Sequence, residues 1–336
     1  MGLFAAMELF ATLLAPILLG RWADSVEKAR SISLMLSLQF LGAATILLTS
    51  ADSLFLICIF FLGLTTSALQ FIAIAALADA YPVSGARRIA YMTSMYATGA
   101  LIAPLVVDVY LGHGFGWRTL FGLLAVGSAI CFAGILSSGS KPRETVAGQT
   151  GEGGGEGRFV LSAILLLGVI MCIYVGFENG FAFFVDTLFT DVLRSSAGKF
   201  ALSLFWAVMI PLRILVGHFT RYASRILIAS ILMIPATMLV LSASSNPVAV
   251  LLLCIPLGFA SGAIYPSVLT IMLPYAGKNT ATGIITAATG IGGVVFTAIT
   301  GFLADRFGLQ TAMLILVSFF IISLLSALRV IRRGKD

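Results

Sequence analysis

Charge is what this chain has least of. Its 336 residues include 20 Lys and Arg and 14 Asp and Glu, so that 10% are charged, where a soluble domain carries about a quarter. Histidine is scarcer still: His113 and His218 are the two, and neither stands near a Cys, Asp or Ser at a catalytic or metal-ligating spacing. The four cysteines, Cys58, Cys131, Cys172 and Cys254, are far apart and each falls in an apolar stretch, which fits small core residues and neither disulfides nor a metal site. No Gly-Lys-Ser/Thr phosphate loop occurs, which leaves direct ATP coupling without a motif. No enzymatic constellation is evident, and no cofactor is expected.

What fills the space is apolar. Hydrophobic residues make up 60% of the chain and the mean hydropathy is +1.08, far from the roughly half-apolar composition of soluble proteins. A membrane helix needs about 20 mostly apolar residues, and eleven such segments can be laid out: 3–20, 31–50, 54–79, 89–111, 117–137, 159–185, 198–217, 225–243, 247–274, 280–303 and 309–331. None alternates apolar with polar as barrel strands do. The sequence therefore predicts an all-α membrane protein, a polytopic helical bundle.

The few charges have an order. Taking the loop Gly20-Arg21-Trp22-Ala23-Asp24-Ser25-Val26-Glu27-Lys28-Ala29-Arg30 as cytoplasmic puts fifteen of the 20 basic residues on that side. Arg118, Arg194, Lys199 and Arg306 fall on the other side and Arg213 inside a segment. This is the bias expected of a cytoplasmic-membrane protein with positive loops inside. The net charge of +6 is thus a signal of orientation, and nucleic acid is not an expected partner. The Gly-rich stretch around 138–158 predicts a cytoplasmic linker. It divides a first half, 1–137, of five helices from a second, 159–336, of six, and the C-terminus is expected inside.

The halves repeat each other. Ala90-Tyr91-Met92-Thr93-Ser94-Met95-Tyr96-Ala97-Thr98-Gly99 aligns with Ala281-Thr282-Gly283-Ile284-Ile285-Thr286-Ala287-Ala288-Thr289-Gly290. Leu62-Gly63 matches Leu257-Gly258, and a turn at Gly116 matches one at Gly308. Bundles built from repeated halves place their solute site near mid-membrane between them.

On these features the chain resembles a major facilitator superfamily transporter. Its first loop resembles that family's signature loop, with Gly20, Asp24 and Lys28 at the glycine, aspartate and basic positions, while Trp22, Ser25 and Glu27 depart from it. Leu77 to Pro82, Gly116 to Phe121 and Gly301 to Gly308 resemble further turns of the family. Within it, Tyr174-Val175-Gly176-Phe177-Glu178 and Phe205-Trp206 through Leu212-Arg213 to Gly217 resemble the fucose-proton symporter subgroup, with Leu212 where a glycine is usual. The resemblance implies two pseudo-symmetric halves and a twelve-helix fold of which this chain has eleven helices. The signature loop normally follows the second helix, so the counterpart of helix one is expected to be absent and the amino terminus outside.

Ionisable residues inside a membrane usually pair with one another or line a watery path. Glu178 and Arg213 are the two best cases, predicted to serve a proton or a solute. Two alternatives stand beside this: a permanent structural ion pair, and an Arg213 that reaches to the cytoplasmic surface. A seventh helix starting near Phe159 puts Glu178 toward the outer face, unless the helix breaks around Gly176 and Gly180. Glu8 is a third, weaker candidate. Gln70, Asn179, Tyr174, Trp206 and Tyr265 complete a polar, aromatic-walled set suited to a hydroxyl-rich solute, and Ile59 stands where many proton-driven members have an arginine. Gly99 to Pro104, Gly290 to Gly293 and Pro16, Pro211, Pro235 and Pro256 are candidate hinges.

By the same resemblance Gly20, Asp24, Lys28 and Asp79 form a conformational latch, the Asp24 carboxylate meeting the helix start near Thr280. The expected function is secondary transport of a small organic solute, possibly a sugar, by proton-coupled alternating access in a monomer embedded in the bilayer. The alternatives are a drug-type proton antiporter and a truncated membrane protein that does not transport.

Overall fold

A computed structural model describes residues 2–49, 51–81, 84–137, 160–273 and 279–333; the predicted linker lies outside the described residues. Every predicted segment falls on helix, and no strand occurs among the described residues. The helices are α1 (Gly2–Ser25), α2 (Lys28–Leu48), α3 (Asp52–Ala80), α4 (Gly85–Gly112), α5 (Thr119–Ser137) and α6 (Leu161–Thr187), followed by α7 (Gly198–His218), α8 (Ala223–Ala243), α9 (Pro247–Met272), α10 (Asn279–Phe307), α11 (Leu309–Ser318) and α12 (Phe320–Arg333). Nine spans among the described residues are long and apolar enough to cross a membrane. The last predicted segment carries α11 and α12, which meet at Phe319 within one span, Leu309–Arg332.

The ends follow local chemistry. Asn246 caps α9, its Oδ1 accepting from the amides of Val248 at 2.9 Å and Ala249 at 3.4 Å, and Pro247 occupies the first helical position, where its missing N–H costs nothing. Between α10 and α11 the chain turns at Gly308, φ +82°, a left-handed conformation that favours glycine. The left-handed glycine of the first half is Gly114, φ +81°, two residues ahead of the Gly116 that the repeat aligns with Gly308. The prolines within α7, α8 and α9 leave those helices continuous.

The chain forms two compact units, and neither is a continuous half. One comprises α1 to α3, α4 from residue 103, α5 and α10 up to residue 287. Inside it α1 packs on α3, and α2 on both α3 and α5. The start of α10 joins this unit: the Thr282 hydroxyl donates to the Phe71 carbonyl at 3.4 Å. A Cβ on Gly283 would lie 3.5 Å from Pro16 Cβ.

The other unit comprises α4 up to residue 102, α6 to α9, α10 from residue 288, α11 and α12. Here α9 packs on α7 and α8, and α6 packs on α12. Glycine sets the spacing at the tightest crossings. A Cβ on Gly258 would stand 2.5 Å from the Phe205 carbonyl oxygen and one on Gly262 2.8 Å from that of Met209, so α7 and α9 approach closely only because no side chain intervenes. The start of α4 lies against α7 in the same way, a Cβ on Gly217 falling 2.5 Å from Ala90 Cβ. Each repeat-related helix, α4 and α10, thus lends its first turns to a unit made mostly of the other half's helices.

Large apolar side chains point outward along the helices, Phe183 at 74%, Phe200 at 71% and Ile130 at 67% exposure. Such a surface suits hydrocarbon and not water, as the composition demands.

Candidate functional site

Among the described residues, the buried charge lies in the second unit. α6 carries Tyr174 and Glu178 four residues apart, one helical turn that aligns them on one face. α7 brings Arg213 to that face. Arg213 Nη2 donates to Glu178 Oε1 at 3.1 Å and to the Tyr174 hydroxyl at 3.5 Å. Nη1 donates to the main-chain carbonyl of Thr93 on α4 at 2.9 Å. Exposure is 2% for Arg213, 5% for Glu178 and 0% for Tyr174. The guanidinium also lies 5.7 Å from the centroid of the Tyr265 ring on α9, within the range of a cation–π contact. Four helices, α4, α6, α7 and α9, therefore meet on one side chain.

Two expectations are corrected by this geometry. α6 runs unbroken through Gly176 and Gly180; these glycines serve close packing, a Cβ on Gly176 falling 2.8 Å from the Gly292 carbonyl oxygen and one on Gly180 3.2 Å from Thr300 Oγ1. A π-helical turn, Leu188–Val192, extends α6 into a 32-residue span, Leu161–Val192. At about 1.5 Å per residue it is about 48 Å long, and Glu178 is two residues past its midpoint. Arg213 does not reach for the cytoplasmic surface: it turns inward to a carboxylate and a carbonyl.

An aromatic cluster joins α6 to α7. Phe177 and Phe181 stack with centroids 6.1 Å apart, and Phe181 meets Phe205 at 4.9 Å. Trp206, two turns before Arg213 on α7, is 8% exposed and stands edge-on to Phe205 at 5.6 Å. Asn179 is placed elsewhere. One residue past Glu178, it faces α10, where a Cβ on Gly293 would fall 2.6 Å from its Nδ2. Gln70 is half-buried on α3 in the other unit, and Glu8 is exposed.

Of the predicted latch, the structure joins Lys28 and Asp79, whose side chains form an ion pair between α2 and the end of α3. Gly20 is buried, with nothing within 4 Å of where a Cβ would stand. The side chains of Asp24 and Thr280 lie outside the described set. In the second unit Arg221 lies on the Tyr222 ring, 4.5 Å from its centroid.

Sequence reasoning missed the Thr93 carbonyl, and no signal for it exists in residue identity, because every residue carries one. It also missed the seam around it. Tyr91 and His218 meet there, hydroxyl to Nε2 at 3.2 Å, while His218 Nδ1 donates to the Ile214 carbonyl at 3.0 Å.

Known proteins share this architecture. The E. coli fucose:proton symporter aligns with a TM-score of 0.78 at 18% identity, covering 98% of this chain and 90% of that one. The human organic anion transporter MFSD10 (TETRAN) aligns at 0.78 and 14%, covering 97% and 82%. The proton:xylose symporter XylE, bound to 6-bromo-6-deoxy-D-glucose, aligns at 0.76 and 12%, covering 97% and 84%. At such identities the likeness is one of fold. No curated protein sequence matches the chain. A family model, the Major Facilitator Superfamily, matches residues 1–281. With most of its length matched by that model, and a multi-pass helical fold shared with solved transporters, the chain belongs to the Major Facilitator Superfamily.

Proposed function

We propose that this protein is a proton-coupled secondary transporter of a small hydroxyl-rich organic solute, working by alternating access between its two repeat halves, residues 1–137 and 159–336. The observation that carries this reading is the Glu178–Arg213–Tyr174 cluster, a titratable carboxylate and its counter-ion buried near the middle of a membrane span. Membrane proteins keep such groups where ions or solutes pass. Two of the similar structures are described as proton-coupled sugar symporters, which favours the same chemistry here.

In this reading Glu178 takes the proton and Arg213 holds or releases the carboxylate according to its charge. Tyr174, Trp206 and Tyr265 face the solute with hydroxyl and aromatic surface, and Gln70 and Asn179 contribute from flanking helices. The chain crosses the cytoplasmic membrane eleven times as a monomer, with its linker and C-terminus inside. Gly20, Asp24, Lys28 and Asp79 form the latch that closes the cytoplasmic side.

Arg213 supports a cycle and not merely a static pair. Its second hand rests on a main-chain carbonyl of α4, a helix of the first half, so any change in the hold of Glu178 on Arg213 is felt across the repeat. Purified protein in liposomes tests the reading: an inward proton gradient should drive accumulation of a labelled sugar or sugar acid, and collapse of the gradient by protonophore should abolish it. Uptake indifferent to the gradient refutes proton coupling; absence of uptake for both solute types refutes the solute class.

A further inference from the structure

Among the described residues Glu178 and Arg213 are the charged residues that are buried, and their charges cancel. The groups facing the carboxylate are few: Tyr174 from α6, Arg213 from α7, and, around the guanidinium, Tyr265 from α9 and the Thr93 carbonyl from α4. No second cation or acid is described in that set. If Glu178 takes up a proton and nothing else changes, Arg213 becomes a buried cation with no counter-charge, an arrangement strongly disfavoured in a protein interior and in a membrane. Loading the proton therefore calls for a new negative charge at Arg213.

The guanidinium has an unused donor for one. Its Nε–H and one Nη2–H lie along a single edge, the fork that grips a carboxylate with two parallel bonds. Glu178 uses only half of it: Oε1 bonds Nη2 at 3.1 Å, while Nε is buried without a hydrogen-bond partner. An unpaired donor in a buried site is itself unfavourable. A free carboxylate displacing Glu178 from Nη2 gains Nε as well, and so binds Arg213 better than Glu178 does in this arrangement. The Tyr174 hydroxyl lies 3.5 Å from Nη2 and the Tyr265 ring centroid 5.7 Å from the guanidinium carbon; a hydroxyl and an aromatic face suit a hydroxylated carbon skeleton.

We propose that the solute is a hydroxylated organic acid whose carboxylate replaces Glu178 as the counter-ion of Arg213 while Glu178 holds the transported proton. This rests on the transport reading above and narrows its substrate to the acid form. The exchange balances: one proton arrives on a Glu178 oxygen, one carboxylate arrives on the Arg213 fork, and the site gains no net charge. Transport is then electroneutral, one proton with one monovalent anion.

The test uses matched neutral and acidic probes on the whole protein, reconstituted in liposomes loaded with a pH-reporting dye and, in parallel, on a capacitive membrane that reads current. D-galactose is set against D-galacturonate, and D-glucose against D-glucuronate. The expected result is proton entry with galacturonate or glucuronate, without transported charge, and none with the neutral sugar at the same concentration. Arg213→Lys keeps the charge and loses the fork, so half-saturation by the acid should rise at least about tenfold. Proton entry driven by the neutral sugar, with the acid inert, overturns this inference while leaving the transport reading intact. Acid-driven entry that carries net current overturns the exchange of counter-ions. Inertness toward all four probes overturns both the inference and the transport reading.

Discussion

The two units each hold one prominent cross-helix ion pair, and the pairs differ mainly in their access to solvent. Lys28 and Asp79 join α2 to α3 with side chains 28% and 37% exposed. Arg213 and Glu178 join α7 to α6 at 2% and 6%. Water screens the first, so such a pair is worth about 0–1 kcal/mol and can open and close with little resistance. The second has given up hydration on both partners, and removing one leaves a charge with nowhere to go, at about 3–5 kcal/mol. The exposed pair can part with water as its replacement partner; the buried pair can part only when another charge, or a proton, takes the place of the one that leaves.

The sharpest way to break this contrast is to remove Arg213. Arg213→Ala should destabilise the detergent-solubilised protein by about 3–5 kcal/mol, because Glu178 is left buried without its counter-charge. Thermal unfolding measures it. Adding Glu178→Gln to that variant should return at least about 1 kcal/mol, since the orphaned charge goes with it. Additive losses would show that the two side chains act independently.

Two glycines, one in each unit, extend the comparison. Gly217 lies near the end of α7 and Gly20 near the end of α1, yet a Cβ on Gly217 falls 2.5 Å from Ala90 Cβ and 3.2 Å from Arg87 Cα. Gly217→Ala should push α4 away from α7, where Thr93 and Arg213 meet, and cost about 1–3 kcal/mol. Gly20 has nothing within 4 Å of that position. Gly20→Ala, inside a helix, should be neutral or stabilising by up to about 1 kcal/mol. Paired melting curves decide, and equal losses at both sites would contradict the packing described for α4.

The smallest effect is expected at the exposed pair. Lys28→Ala should change stability by less than about 1 kcal/mol, and 0.5 M salt should erase the difference from wild type. A latch role still predicts altered labelling of cytoplasmic-side cysteines at unchanged stability. A loss as large as that of Arg213→Ala would mean that the two pairs are not the different devices drawn here.

Much of this was legible in the residues. Long apolar runs announce α2, α3 and α5 to α9, because each segment must satisfy its own backbone in lipid. The isolated Glu178 and Arg213 were conspicuous because charge is so rare in this chain. What could not be read was depth and direction. The π-turn after α6 has no composition signal that distinguishes it from ordinary helix, yet it lengthens the span by five residues. Gly176 invites a break by identity, whereas its use is the close approach of α10, a fact held by Gly292 and Phe296. Asn179 and Glu178 are neighbours in sequence, and the helix alone decides that only one of them faces Arg213.

The central claim is that Glu178 carries the coupled proton, and solute exchange compared with proton-driven accumulation in Glu178→Gln liposomes tests it most directly. The amide keeps hydrogen-bonding capacity but cannot titrate, so exchange of solute across the membrane should persist while accumulation against a gradient, and the accompanying alkalinisation outside, should vanish. Full proton-driven accumulation by Glu178→Gln would contradict the account and place the titrating group elsewhere in the chain.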